Sequence, residues 1–233
     1  MRKFILATIM GLGLCIGAAA QPAEPGNVPA PVLGDYFTSV TAAPSLPDAY
    51  GFVRRWSLLE PIAKPELTSN RGFNDTFVRS HFEKEYFKDQ MTMVPKDGQT
   101  VTLADKTKLK WHWLESKTYD VYLYRFAGGL GLQRTAAMYM MATVINVEKD
   151  VTVRMSVGSN AASLWWMNGE EAVLLPGDRH MMIDDYLSKK ITLKAGKNVL
   201  RGMIINGPGW SDFCIRFYDL DGKVFKDFTI TNQ

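Results

Sequence analysis

Cysteine and histidine are scarce in this sequence, and the scarcity removes several classes of active site. Among 233 residues there are two cysteines and three histidines. The chain contains no Gly-x-Ser-x-Gly nucleophile elbow, His-Glu-x-x-His zinc helix, phosphate-binding Gly-Lys-Ser/Thr loop or paired Cys-x-x-Cys. The sequence therefore favours a non-catalytic protein.

Long apolar runs are absent except at the N-terminus. Arg2 and Lys3 precede an apolar run over residues 4–16, and residues 18–20 are alanines. This pattern predicts a secretory signal peptide over residues 1–20. No other apolar run reaches the length of a membrane span. We expect an exported protein, periplasmic or extracellular, with no membrane span.

The sequence has little excess of charge of either sign. The sequence carries 27 basic and 24 acidic residues, and removal of Arg2 and Lys3 lowers the net charge from +3 to +1. No basic field remains for a nucleic acid or an anionic membrane. The predicted leader also contains Cys15, so Cys214 is left alone and an intrachain disulfide is excluded. Stability must come from the hydrophobic core.

Proline divides the predicted mature chain into two parts. Six of the eleven prolines lie within residues 21–50. Residues 21–48 are therefore interpreted as an exposed spacer. Its more apolar run, residues 32–40, could pack onto the domain as a first strand. We expect one globular domain over residues 49–233.

One short helix is predicted, near residue 80. Ser80 and Glu83 have the spacing of a capping box. Phe82, Tyr86 and Phe87 fall on one face of a helix that begins there.

From residue 100 onward the pattern is typical of β-structure. Apolar and polar residues alternate over 151–157, and turn signals such as Asn-Gly at 168–169 separate the runs. Two longer strands are predicted over residues 119–126 and 136–146. Short strands at about ten-residue spacing indicate an antiparallel sandwich or barrel.

Aromatic residues near turns are the strongest sign of a binding site. Trp165 and Trp166 are neighbours on a predicted strand, so one can be core while the other is presented. Trp210 ends an Asn-Gly-Pro-Gly-Trp loop. Sugars stack their C–H faces on such rings, and nearby polar groups fix their hydroxyls. The candidate ligand-binding residues are Trp165, Asn168, Arg179, Asn206 and Trp210.

Four strand-and-turn segments carry a family resemblance. Residues 165–170 (WWMNGE) are similar to a V-W-L-N-G-K/E pattern, and 191–198 (ITLKAGKN) to v-x-L-k-x-G-x-N. Residues 209–216 (GWSDFCIR) are similar to G-W-x-F-x-x-R. Residues 56–62 (WSLLEPI) are similar to W-x-v-l-G-P-F, with Glu60 in place of glycine. Together they resemble galactose-binding-like, protective-antigen-type modules of bacterial polysaccharide-utilisation proteins.

The resemblance spans about residues 52–226 and implies an all-β fold with one short helix, an antiparallel jelly-roll β-sandwich. It also implies a carbohydrate-binding role. In calcium-dependent relatives an acidic G-S-D-D sequence precedes the tryptophan strand, whereas this chain has Gly-Ser-Asn-Ala. Asn160 still offers an oxygen ligand, and Asp184 and Asp185 are further candidate oxygen ligands for calcium. We expect no required cofactor, with calcium as the candidate ion.

Three functions remain open at this point. The first is a secreted non-catalytic carbohydrate-binding or accessory module with a glycan partner. The second is a structural or protein-partner module of an extracytoplasmic assembly, in which the aromatic residues are core or interface. The third is a hydrolase or esterase with an unrecognised site that uses His81, His112 or His180.

Overall fold

Two antiparallel sheets form the protein in a computed structural model, which describes residues 32–233. The predicted signal peptide and the first part of the predicted spacer lie outside the described residues. The helices are α1 (Leu33–Tyr36), α2 (Asp75–Phe82) and α3 (Leu123–Gly129). The strands up to the middle of the chain are β1 (Phe37–Ser39), β2 (Arg55–Leu59), β3 (Ile62–Ala63), β4 (Thr100–Thr102), β5 (Lys108–Ser116), β6 (Ala137–Val147) and β7 (Val151–Ser159). The remaining strands are β8 (Ala162–Met167), β9 (Glu170–Leu175), β10 (Tyr186–Leu193), β11 (Gly196–Asn206), β12 (Phe213–Tyr218), β13 (Val224–Phe225) and β14 (Thr229–Thr231).

The two sheets face each other as a sandwich. The larger sheet has the order β1-β5-β2-β6-β11-β8-β9, and β3 and β14 also pair with β6. The smaller sheet has the order β10-β7-β12-β13. Every strand pair is antiparallel, and the longest, β6 with β11, pairs Ala137 with Asn206 and Val147 with Gly196. The predicted antiparallel jelly-roll β-sandwich is confirmed.

Alternation along the strands builds the core between the sheets. In β7 the side chains of Val153, Met155 and Val157 are buried in that core, as the period-two pattern predicts. Trp165 of β8 points into the same core from the other sheet. The predicted strand over residues 136–146 is confirmed as β6.

A second core covers the outer face of the larger sheet. It contains Trp166 and Trp111 from the sheet and Val78 and Phe82 from α2. Adjacent residues on β8 therefore point to opposite faces, as predicted, but both faces are covered. The expectation that Trp165 or Trp166 is presented to solvent is wrong, because α2 and its flanking loops bury Trp166 to 7% exposure.

The helix predictions require correction. Helix α2 begins at Asp75, because the Asn74 side chain caps it by accepting a hydrogen bond from Phe77 N at 3.0 Å. Ser80 lies in the last turn, where its hydroxyl donates to the Phe77 carbonyl at 2.7 Å. The Ser80 capping box and the expectation of a single helix are both wrong.

The predicted strand over residues 119–126 is also wrong. Val121 makes an isolated bridge to Phe213, and α3 begins two residues later. Helix α3 forms because Leu123, Phe126 and Ala127 bury one face at helical spacing. This change of structure places Tyr124 on a helix rather than on a strand.

Residues 33–48, which the sequence assigns to the spacer, are attached to the sandwich. β1 pairs with β5, and Ser45 bridges to Ile230. The buried guanidinium of Arg55 donates to the carbonyls of Thr41 and Ala43 and to Asn232 Oδ1, the last at 2.6 Å. The boundary between spacer and domain stays a prediction.

Candidate functional site

One end of the sandwich gathers the connections from β7 to β8 and from β11 to β12. Asn160 N donates to the Asp212 carbonyl at 2.9 Å, which joins the two connections. Tyr124 N donates to the Ser211 carbonyl at 3.0 Å, which adds the start of α3. Segments far apart in the sequence therefore meet at one end of the fold.

The loop that follows β11 is braced from beneath. The Asn206 amide donates to the Trp210 carbonyl and, at 3.1 Å, to Ser211 Oγ. Gly207 N donates to Asn70 Oδ1 at 2.8 Å. Gly209 has φ +111°, a conformation that favours glycine. These contacts hold Trp210 at the surface, where 58% of it is exposed.

Trp210 belongs to a group of aromatic and cationic side chains. Its ring centroid lies 6.0 Å from that of Tyr124 in a tilted arrangement. The guanidinium groups of Arg134 and Arg125 lie 4.9 and 6.0 Å from the centroid of Tyr124, and Arg125 lies 5.1 Å from that of Tyr36. We call the following group the loop-end site: Tyr124, Arg125, Arg134, Asn206, Trp210 and Asp212.

Two buried acceptors lie on the chain segment that carries Trp210. Asp212 Oδ1 and Asn206 Oδ1 have no hydrogen-bond partner within residues 32–233. Burial and, secondly, the charge of Asp120 raise the pKa of Asp212 to about 6. Burial of an acceptor without a partner destabilises a fold, so this end of the sandwich carries a cost in stability.

Trp165 is not part of this site. It is fully buried, and its Nε1 donates to Ser163 Oγ at 3.0 Å. Its ring meets that of Trp56 edge-on, with the centroids 6.1 Å apart. The prediction that Trp165 forms a ligand platform is wrong, because its ring fills the core between the sheets.

Asn168 lies at the opposite end of β8 from the loop-end site. Its backbone has φ 53°, and its side chain donates to Asn198 Oδ1 at 2.9 Å and accepts from Val199 N at 2.8 Å. These bonds attach the β8–β9 turn to β11. The structure therefore separates Asn168 from Asn206 and Trp210.

Arg179 flanks the loop-end site through its backbone. Its carbonyl accepts from Ala161 N at 3.0 Å, and its side chain forms an ion pair with Asp185. Asn206 is 1% exposed, so its part is to hold the loop that presents Trp210.

The predicted calcium ligands are not assembled. Asp184 accepts from Ser156 Oγ at 2.6 Å, from the Tyr218 hydroxyl at 2.8 Å and from the Arg216 guanidinium. Asp185 is paired with Arg179, and Asn160 lies in the connection between β7 and β8. Within residues 32–233 no group of three or more His, Cys, Asp or Glu side chains is placed to hold a metal ion. Calcium binding by Asn160, Asp184 and Asp185 stays a prediction, with both aspartates already paired to arginines.

The segment that contains Asp184 crosses the outer face of the smaller sheet. We call residues 178–185 the strap. Met181 Sδ lies 3.7 Å from the buried Cys214 Sγ, and a Cβ on Gly158 would meet the Met182 carbonyl at 1.9 Å. Beside the strap is an open cavity of about 360 Å³ lined in part by Arg154 and Tyr218.

Two of the histidines lie on other elements. His112 Nε2 is 3.0 Å from Glu60 Oε1 on the larger sheet, and His81 Nδ1 is 2.8 Å from the Phe77 carbonyl in α2. Neither contributes to the loop-end site.

No protein-family model matches the chain, and a search of curated proteins found no match either. Among solved structures, the PA14 domain of an antifreeze protein aligns with 9% identity and a TM-score of 0.42, over 83% of this chain and 96% of that one. A PA14 sugar-binding domain from an RTX adhesin aligns with 12% identity and a TM-score of 0.43, over 77% of this chain and 96% of the adhesin domain. The A domain of epithelial adhesin 9 from Candida glabrata, in complex with Galβ1-4GlcNAc, aligns with 8% identity and a TM-score of 0.43. This alignment covers 83% of this chain and 95% of the adhesin domain.

The helices of the described chain are all short. Across residues 32–233, none has the length and apolar character that a membrane-crossing helix needs.

Proposed function

We propose that this protein is a secreted, non-catalytic carbohydrate-binding or accessory module that binds a glycan at the loop-end site. The observation that supports the proposal is the exposed indole of Trp210, held on a braced loop beside Tyr124. An indole at a fixed position offers a flat apolar face to the C–H side of a sugar ring. The guanidinium groups of Arg125 and Arg134, which lie against Tyr124, can donate hydrogen bonds to the hydroxyls of that sugar.

The chemistry of the site suits binding better than turnover. The Trp210 ring would supply the apolar contact with a bound sugar. A retaining or inverting glycosidase needs two carboxyl groups on either side of the scissile bond. At the loop-end site Asp212 and its neighbour Asp120 are buried, at 7% and 2% exposure. Neither is placed to flank a substrate.

We also propose that the protein's own side chains bind the glycan, without calcium. Asp184 and Asp185 each already pair with an arginine, so their carboxylates are not free to ligate an ion. Export through a signal peptide over residues 1–20 belongs to the same proposal. The RTX adhesin domain is described as sugar-binding, and the epithelial adhesin domain is bound to Galβ1-4GlcNAc. The proposal itself rests on the loop-end site of this chain.

The test is a glycan array followed by titration calorimetry on each oligosaccharide bound. Trp210→Ala should weaken binding at least tenfold, because it removes the stacking surface. Tyr50→Ala is the matched control, since Tyr50 is 72% exposed elsewhere on the surface. Added EDTA should leave the affinity unchanged.

Two results would overturn the proposal. Equal loss of binding in the Trp210 and Tyr50 variants would show that the effect does not arise at the loop-end site. Absence of binding to every glycan on the array would instead favour the hypothesis of a structural or protein-partner module. Loss of binding in the presence of EDTA would overturn only the proposal that the glycan binds without calcium.

A further inference from the structure

The loop-end site has two cations with no acidic partner. Arg125 and Arg134 lie against the ring of Tyr124, and neither side chain forms an ion pair or a hydrogen bond within residues 32–233. Each guanidinium has five N–H donors in a planar fork. Contact with Tyr124 orients these forks, so donors that would otherwise be mobile are held next to the exposed aromatic surface.

The acids at this end of the sandwich do not neutralise these arginines. Asp120 and Asp212 are buried beneath the loops. Asp185 is paired with Arg179, and Asp178 accepts a hydrogen bond from Asn70. Arg134, by contrast, is exposed and Arg125 is half-buried. Arg125 and Arg134 thus place two positive charges beside Tyr124, and the exposed Asp35 next to Tyr36 forms no ion pair with them.

Planar guanidinium groups recognise carboxylate and sulfate by paired N–H···O bonds, whereas a neutral sugar needs only single hydrogen bonds. Two oriented guanidinium groups beside a stacking surface are more than a neutral sugar requires. Building on the proposed function, we infer that the glycan bound at the loop-end site is anionic, with a uronic acid carboxylate or a sulfate ester. The sugar ring stacks on Trp210, and the anionic group pairs with Arg134 and Arg125 across Tyr124.

The experiment compares ligands that differ only in charge. Oligogalacturonate and its fully methyl-esterified form present the same sugar chain with and without carboxylates. A sulfated galacto-oligosaccharide and its desulfated form separate sulfate from carboxylate. We expect at least tenfold tighter binding of the charged member of one pair in calorimetry at low salt. Raising the salt should reduce the difference, since the contacts are partly exposed.

Variants assign the effect to the two arginines. Arg134→Gln and Arg125→Gln should each remove most of the preference for the charged ligand, weakening its binding far more than binding of the neutral ligand. Arg154→Gln, in β7 beside the strap, is the matched control. Arg134 is exposed and makes no core contact, so its variant should keep the thermal midpoint of the wild type.

Failure of this inference is distinct from failure of the proposed function. Equal affinity for charged and neutral ligands, with Trp210→Ala still abolishing both, would overturn the inference and leave carbohydrate binding intact. A charge preference that survives Arg125→Gln and Arg134→Gln would also overturn it. Absence of binding to all four ligands and to the array would overturn both.

Discussion

Gly202 of β11 lies directly beneath the indole of Trp165 on the neighbouring strand. A Cβ at position 202 would come within 2.1 Å of the ring atom Cζ3 of Trp165. The aromatic ring therefore rests on bare backbone, a contact that only glycine allows. This pair fixes the position of one of the two tryptophans in the core between the two sheets.

Gly202→Ala should lower the free energy of unfolding by about 3 kcal/mol, because the Trp165 ring has no space into which it could move. Urea denaturation followed by tryptophan fluorescence measures the change. Gly34→Ala is the control, since a Cβ there meets nothing within 4 Å, and its stability should change by less than about 0.5 kcal/mol. Equal midpoints for Gly202→Ala and wild type would contradict the assigned contact.

Asp212 makes stability depend on pH. Its pKa is about 6 in the folded protein and near 3.8 when the chain is unfolded. Between these values the folded state binds the extra proton, so the free energy of unfolding falls as pH rises from about 4 to about 6, by roughly 3 kcal/mol in total. Asp212→Asn imitates the protonated form and should remove this loss.

The measurement is the difference in unfolding free energy between Asp212→Asn and wild type at pH 4 and at pH 7.5. The difference should grow in favour of the variant as pH rises. Asp221→Asn, in an exposed turn, should show a constant difference. A flat difference for position 212 would mean that its carboxyl group ionises normally in the folded protein.

Much of the sandwich is predictable because its signals are local. Alternation in β7 and the Asn-Gly turn at 168–169 depend on neighbouring residues, and the structure agrees with both. The environment of Trp166 is an example of a feature that local sequence signals do not predict. Its burial depends on α2, about ninety residues earlier in the sequence, and no pattern around Trp166 indicates that cover.

The loop-end site is only partly predictable for the same reason. Trp210 follows a glycine-rich loop and is identifiable from sequence. The sequence does not indicate Tyr124 and Arg125 as site residues, because residues 119–126 have the apolar content of a strand, and no motif marks Arg134. The bridge from Val121 to Phe213 and the hydrogen bond from Tyr124 N to the Ser211 carbonyl bring this segment to Trp210. The spacing of Leu123, Phe126 and Ala127, at one helical turn, was the signal for α3.

Asp184 fastens the strap over Cys214. Burial alone would raise the pKa of Asp184, but hydrogen bonds from Arg216, Ser156 and Tyr218 outweigh it and lower the pKa. Asp184→Asn weakens these charge-assisted bonds and keeps the left-handed backbone, which asparagine also tolerates. The strap should then open more often.

The readout is alkylation of Cys214 by a small thiol reagent. Burial raises the pKa of the Cys214 thiol to about 12, so the wild-type protein should react slowly. Asp184→Asn should speed the reaction at least tenfold, whereas Asp221→Asn should not change it. An unchanged rate in Asp184→Asn would show that other contacts hold the strap.

The start of α2 can be tested with two single changes. Asn74→Ala removes the side-chain cap and should cost about 1 kcal/mol of unfolding free energy. Ser80→Ala, at the residue that resembles a cap in the sequence, should cost less than about 0.5 kcal/mol, because its hydroxyl bonds only within the last turn. The reverse order of costs would move the helix start to Ser80.

The hydrogen bonds of Arg55 restrict the order in which the chain can fold. Its buried guanidinium needs the carbonyls of Thr41 and Ala43, which are synthesised before it, and Asn232, which follows it by 177 residues. Strand β14, which pairs with β6, also comes late in the sequence of the sandwich. Before Asn232 is available, closing the sandwich would bury a cation with an unsatisfied donor. Nascent chains should therefore acquire protease resistance only after Asn232 has left the ribosome.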